Sequence, residues 1–150
     1  MSDTITGSVI AQRYRVTGFL RSGRMGDIYV ARRTDDDRKV AIKVLDPGLF
    51  NNDEAVKRFE REAKVTRTID HPCSTRVLDY GPSDQGPYLV MEYVDGELLS
   101  DVIDEHGALA PERAARIAAQ IALALQAAHA KGVIHRDLAP SNVLIAQQEG

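Results

Sequence analysis

Cys73 is the only cysteine among 150 residues, so neither an internal disulfide nor a cysteine-built zinc site can form. Positive charge is not in excess. Nineteen Lys and Arg stand against 22 Asp and Glu, a net charge of −3, which lacks the electrostatic footprint of a nucleic-acid binder. No apolar run approaches the ~20 residues needed to span a bilayer. The N-terminal Met-Ser-Asp-Thr-Ile-Thr-Gly-Ser has no basic region followed by an apolar one, so no signal peptide is expected. Internal repeats and low-complexity tracts are missing too. These absences predict a chain in a reducing, cytoplasmic compartment, with no nucleic-acid partner and no membrane segment. What is present, 43% hydrophobic and 27% charged residues, suits a globular protein with one continuous core.

The first half reads as short strands separated by turn residues. Strands are expected at Tyr14 to Leu20, Asp27 to Arg33 and Lys39 to Leu45, the last reached through the charged turn Asp35-Asp36-Asp37-Arg38. A helix follows, with Asp53 as its expected N-cap and Val56, Phe59, Ala63, Thr66 and Ile69 on one face. His71-Pro72 is expected to end it, because the residue before proline is pushed out of the helical region. Two further strands are expected around Arg76 to Tyr80 and Tyr88 to Tyr93.

From Leu98 the pattern turns helical. A short helix runs to about Glu105, and a long one opens with Pro111 and stops at Gly132. Strands first and helices second predict an α+β protein in two lobes, joined near Val94-Asp95-Gly96.

Three stretches carry chemistry. Gly23-Arg24-Met25-Gly26, between the first two strands, is either a turn whose backbone N–H groups cradle a phosphate or only a hairpin turn. Val40-Ala41-Ile42-Lys43 sets a lysine in an apolar strand, where it needs a counter-charge. Glu62, on the helix that follows, is the available partner. His135-Arg136-Asp137-Leu138-Ala139-Pro140-Ser141-Asn142 precedes the apolar strand Val143-Leu144-Ile145-Ala146. There Asp137 could orient a substrate hydroxyl and accept its proton, and Asn142 could ligate a divalent ion.

Taken in order, these stretches resemble the protein kinase family, and from about residue 12 the resemblance covers the chain. The Arg-Phe-x-Arg-Glu-Ala run at 58 to 63 and Val-Met-Glu-Tyr-Val at 90 to 94 are most similar to the eukaryotic-like serine/threonine kinases of bacteria. The resemblance implies a tail at 1–11, a five-stranded N-lobe with one main helix at 12–94, and the first helices and catalytic loop of an incomplete helical C-lobe at 95–150. It implies ATP and Mg2+ as cofactors and serine or threonine hydroxyls of proteins as substrates.

The same resemblance assigns roles to residues. Lys43 would hold the α- and β-phosphates and pair with Glu62, Asp137 would be the catalytic base and Asn142 a magnesium ligand. Gly23 and Gly26 would cover the phosphates, while Leu20, Ile28, Ala41 and Leu144 would sandwich the adenine. Met91 would be the gatekeeper, and the backbones of Glu92 and Val94 would bond the adenine edge.

The sequence departs from the family in three places. Arg21 stands where the first loop glycine would be, which is expected to weaken nucleotide binding. Ala139 replaces the lysine that touches the transferring phosphate, an expected loss of ~2.7–4 kcal/mol in the transition state. The chain ends at Gly150, before the Asp-Phe-Gly motif, so this polypeptide alone is expected to be inactive, with uncovered C-lobe helices prone to self-association. The alternative is a pseudokinase-like module that binds nucleotide or a partner without catalysis.

Overall fold

Short apolar segments bounded by turn residues dictate the first part of the chain. The computed structural model describes residues 5–134 and 138–146. They fall into two compact units, Met1–Thr68 with Arg76–Tyr93, and Ile69–Thr75 with Val94–Gly150.

In the first unit β1 (Val9–Ile10), β2 (Tyr14–Gly23), β3 (Gly26–Arg33), β4 (Lys39–Leu45), β5 (Val77–Gly81) and β6 (Tyr88–Glu92) form one sheet in the order β1-β2-β3-β4-β6-β5. Every neighbouring pair is antiparallel. Tyr29 and Ala31 of β3 face the same side as Val40, Ile42 and Val44 of β4, and with Val16, Tyr88 and Val90 they make the core. Ile42, Val40 and Val90 are fully buried there. The intervening residues, Ile28, Val30 and Arg32 on β3 and Lys43, Ala41 and Lys39 on β4, pair in that order on the opposite face.

The sheet has six strands where five are expected. The additional strand, Val9–Ile10, lies within the first eleven residues and pairs with Tyr14 and Arg15 of β2. Two residues are too few to show a period, yet Ile10 is completely buried.

The helix α1 (Asp53–Thr66) begins one residue earlier than expected: Asn52, not Asp53, is its cap, accepting from the Ala55 N–H at 3.1 Å. Asp53 and Glu54 instead occupy the first turn, where the helix dipole favours negative charge. Ala55, Phe59 and Ala63 are its buried residues. The helix also stops short of His71-Pro72. Its end tightens where the Thr68 N–H and hydroxyl both donate to the Val65 carbonyl, at 3.1 and 2.6 Å, a three-residue bond that closes the last turn.

The second unit holds α2 (Leu99–His106), α3 (Pro111–Ala130) and a small sheet of β7 (Gly96–Leu98) with β8 (Leu144–Ala146). The end of α3 follows from Gly132, whose φ is 77°. The Val133 N–H reaches the Ala128 carbonyl and the Gly132 N–H the His129 carbonyl, each at 3.0 Å, a paired closure that a left-handed residue permits. No residue of α3 is buried, and Leu123 is 52% exposed. Strand β7 escapes the sequence pattern because it is three residues long and begins at a glycine. Only a residue without Cβ fits there: a Cβ on Gly96 would overlap the Ile145 carbonyl of β8.

Candidate functional site

Lys43 lies in the middle of β4, between strands that keep water away, and is half-buried. Burial pushes its ammonium below the usual lysine range; Glu62 pulls it back up and Arg24 pushes it further down. The cross-strand partner of Lys43 on β3 is Ile28, and that of Ile28 on β2 is Arg21. The structure therefore sets a poorly hydrated cation on the face of the sheet opposite the core, beside an apolar row made by Val30 and Ala41.

Glu62, the expected partner, is within electrostatic reach of Lys43 but is exposed. The buried stripe runs through Ala55, Phe59 and Ala63, which leaves Glu62 at the stripe's edge. No hydrogen bond or ion pair joins Lys43 to Glu62 among the described residues.

The turn between β2 and β3 is a two-residue hairpin with Gly23 opposite Gly26. Gly26 has a structural reason to be glycine, since a Cβ there would overlap the Val44 carbonyl of β4. Met25 sits in the turn with φ of 72°. Leu20 on β2 and Met91 on β6 are half-buried, and Ile28 and Ala41 are buried at 8% and 6% exposure. The Glu92 N–H donates to the Arg76 carbonyl at 2.9 Å, and its carboxylate accepts from the Arg76 N–H at 2.8 Å. A ligand could therefore use only the carbonyl of the Glu92 backbone.

In the second unit, Asn142 closes a short 3-10 turn, Pro140–Asn142, its N–H bonded to the Ala139 carbonyl at 2.9 Å. The Val143 carbonyl accepts from the Leu99 N–H at 2.8 Å, which ties this loop to the start of α2. Leu144 on β8 pairs with Leu98 of β7, and Val94 begins the unit's second stretch, half-buried. Asp137, with His135 and Arg136, lies outside the described residues. Cys73 is exposed.

The sequence reading leaves out Tyr93. Lys39 Nζ sits 4.0 Å from the centre of its ring, and Tyr93 also acts on Arg21, whose guanidinium burial pulls below its usual range. A single tyrosine just past a strand has no spacing that would mark it.

An antiparallel sheet that holds a desolvated lysine beside an apolar row, followed in sequence by a helical unit, defines an α+β protein. The protein kinase domain family matches residues 14–150. A probable serine/threonine-protein kinase of Clostridium perfringens is 40% identical over 95% of this chain, and the serine/threonine-protein kinase pkn2 of Myxococcus xanthus 43% identical over 93%. The crystal structure of the Mycobacterium tuberculosis PknI kinase domain superposes with a TM-score of 0.80 at 33% identity, covering 95% of this chain and 57% of that one.

The chain belongs to the protein kinase family. It spans 21% and 17% of the length of those two curated relatives. Members of the family in general use ATP and Mg2+. Among the described residues, no helix is long and apolar enough to cross a membrane.

Proposed function

We propose that this chain binds Mg-ATP on the open face of its sheet and belongs to an enzyme that transfers the γ-phosphoryl group to serine or threonine hydroxyls of proteins. The observation that carries the reading is Lys43, a cation held where water is scarce and beside an apolar row. A desolvated ammonium is best compensated by a polyanion brought to it. The names of the relatives, serine/threonine-protein kinases, support the same class of substrate.

In this reading Lys43 holds the α- and β-phosphates, and Glu62 orients it through space. Ile28, Ala41, Leu20 and Leu144 contact the adenine, with Met91 at the back of the pocket, and the backbones of Glu92 and Val94 bond its edge. Gly23 and Gly26 let the hairpin approach the phosphates. Asp137 accepts the proton of the substrate hydroxyl, and Asn142 is a magnesium ligand. Bound Mg2+ supplies neutralisation of the charge that spreads over the transferring group. The reaction belongs in the cytoplasm, where nucleoside triphosphate is available. Lobe boundaries at 12–94 and 95–150 go with this assignment.

Calorimetric titration with Mg-ATP tests it: the chain is expected to bind, Lys43→Met to bind at least about tenfold more weakly, and Ala41→Phe to lose binding by filling the adenine face. Equal affinity in all three would sink the proposal.

A second reading, a pseudokinase-like module that binds nucleotide or a partner without catalysis, is favoured by Arg21 in the glycine loop and Ala139 within the catalytic loop. Radiolabelled phosphate transfer to a basic protein substrate separates the two. The 150-residue chain, with Asn142 its one assigned metal ligand, is expected to bind without transferring; turnover abolished by Asp137→Asn would establish the enzyme in this chain itself. The half-exposed stripe of Ile117, Ile121 and Leu125 on α3 is expected to promote self-association, which light scattering across a concentration series reads directly.

A further inference from the structure

Away from Lys43, the same sheet face carries a row of like charges. Register pairs Arg15 of β2 with Arg32 of β3, and Arg32 with Lys39 of β4. Three exposed cations thus stand directly opposite one another across three strands. Opposed like charges destabilise a sheet, so the row calls for compensation, and the neighbouring acids supply little. In the turn after β3, Asp35 and Asp36 are engaged by Arg33 at 3.1 and 3.6 Å. Asp37 receives a hydrogen bond from Arg32 Nη1 at 3.1 Å, but on its backbone carbonyl. Lys39 rests against the Tyr93 ring. The Arg15 side chain has no hydrogen bond or ion pair among the described residues.

Around Arg15 and Arg32 the surface forms a depression of about 240 Å³, completed by Thr17, Arg33, Thr34 and Asp37. That is the volume of roughly eight waters at ~30 Å³ each, room for a hydrated oxyanion and below the usual size of an organic-ligand pocket. Guanidinium groups offer forked donors that match phosphate oxygens. Asp37 is the one acidic residue in the lining, and neither Arg15 nor Arg32 makes an ion pair among the described residues. Lys39 and Lys43 are four residue steps apart on β4, about 13 Å of strand, so this place lies apart from Lys43 on the same face.

We propose that the depression at Arg15 and Arg32 is a second anion site, for a compact dianion of the phosphate-monoester type. Its source is either free phosphate or a phosphorylated serine or threonine side chain, and the experiment distinguishes them. The 150-residue chain is titrated at low salt with inorganic phosphate, with a short phosphothreonine peptide and with the unphosphorylated peptide, followed by amide shifts in NMR. Saturable shifts around Arg15 and Arg32 with a phosphate-bearing probe, and none with the unphosphorylated peptide, are expected. Tighter binding of the phosphopeptide assigns a protein-borne phosphate; equal binding assigns the free anion.

Arg15→Thr with Arg32→Thr is expected to weaken binding at least about tenfold, while Lys43→Met leaves it unchanged. Threonine is a good strand former, and Arg32→Thr alone is expected to raise the Tm of the unliganded chain by relieving the charged row. Absence of shifts with both phosphate probes, retention of affinity in the double variant, or loss of affinity in Lys43→Met overturns the proposal.

Discussion

The sheet of the first unit and the long helix of the second are made from equally apolar sequence but bury it very differently. In the sheet, Val40, Ile42 and Val90 have no exposed surface; in α3, a 20-residue helix, no residue is buried at all. The difference teaches that periodicity reports where apolar residues lie on an element, not whether anything covers them. Ile117, Ile121 and Leu125 show the helical spacing as plainly as Tyr29 and Ala31 show the strand spacing, yet only the strand residues are enclosed.

The comparison breaks most directly at the centre of the sheet. Ile42→Ala is expected to cost about 2–5 kcal/mol in chemical denaturation, because the cavity it leaves is walled by five strands' worth of side chains. Ile121→Ala on α3 is expected to cost less than about 1 kcal/mol, since a partly wet side chain has little burial to lose. Equal costs at the two positions would mean that α3 is covered in solution.

An intermediate effect belongs to the polar link between β2 and β5. The Tyr14 hydroxyl donates to Asp79 Oδ2 at 2.7 Å, and Arg13 reaches the same oxygen at 3.3 Å. Burial and the Asp79 carboxylate push the Tyr14 phenol well above its usual range. Tyr14→Phe is expected to lower stability by about 1 kcal/mol, the worth of one hydrogen bond to a charged acceptor that keeps some solvent.

The smallest effect has a definite pH signature. The folded pKa of Lys43 lies below the ordinary 10.5, so between those two values the unfolded chain holds more protons than the folded one. The contribution of this site to stability therefore rises with pH through that window. Lys43→Met is expected to raise Tm at neutral pH and to lose this advantage as pH climbs towards 10.5. A Tm difference independent of pH would show that Lys43 is not desolvated.

Much of the fold could be read from the chain because local signals agreed with one another. The apolar run of Lys39–Leu45 after the charged turn set β4, Pro111 and Gly132 bracketed α3, and both survive in the structure. Where signals competed, the reading slipped. Asn52 and Asp53 are both good caps, and only the bond to the Ala55 N–H decides between them. Proline at 72 marks where a helix cannot continue, but α1 already ends at Thr66, with the Thr68 hydroxyl bonded to the Val65 carbonyl.

Of the site, Lys43 on an apolar strand was legible, because a charge among β-branched residues is conspicuous. The exposure of Glu62 was not, since it depends on how far the buried stripe of α1 turns towards the sheet. The Arg15–Arg32–Lys39 row was equally hidden: it comes from three separate strands, and only their register brings it together.

The pairing of Gly96–Leu98 with Leu144–Ala146 sets the order in which the polypeptide can mature. Strands β2, β3 and β4 follow one another closely in sequence and can zip as they leave the ribosome. The β7–β8 clasp, by contrast, must wait until translation has passed residue 146 and both intervening helices have emerged. Loop closure over that separation is slow compared with hairpin formation, so during synthesis the first unit stands finished while the second is still an open loop.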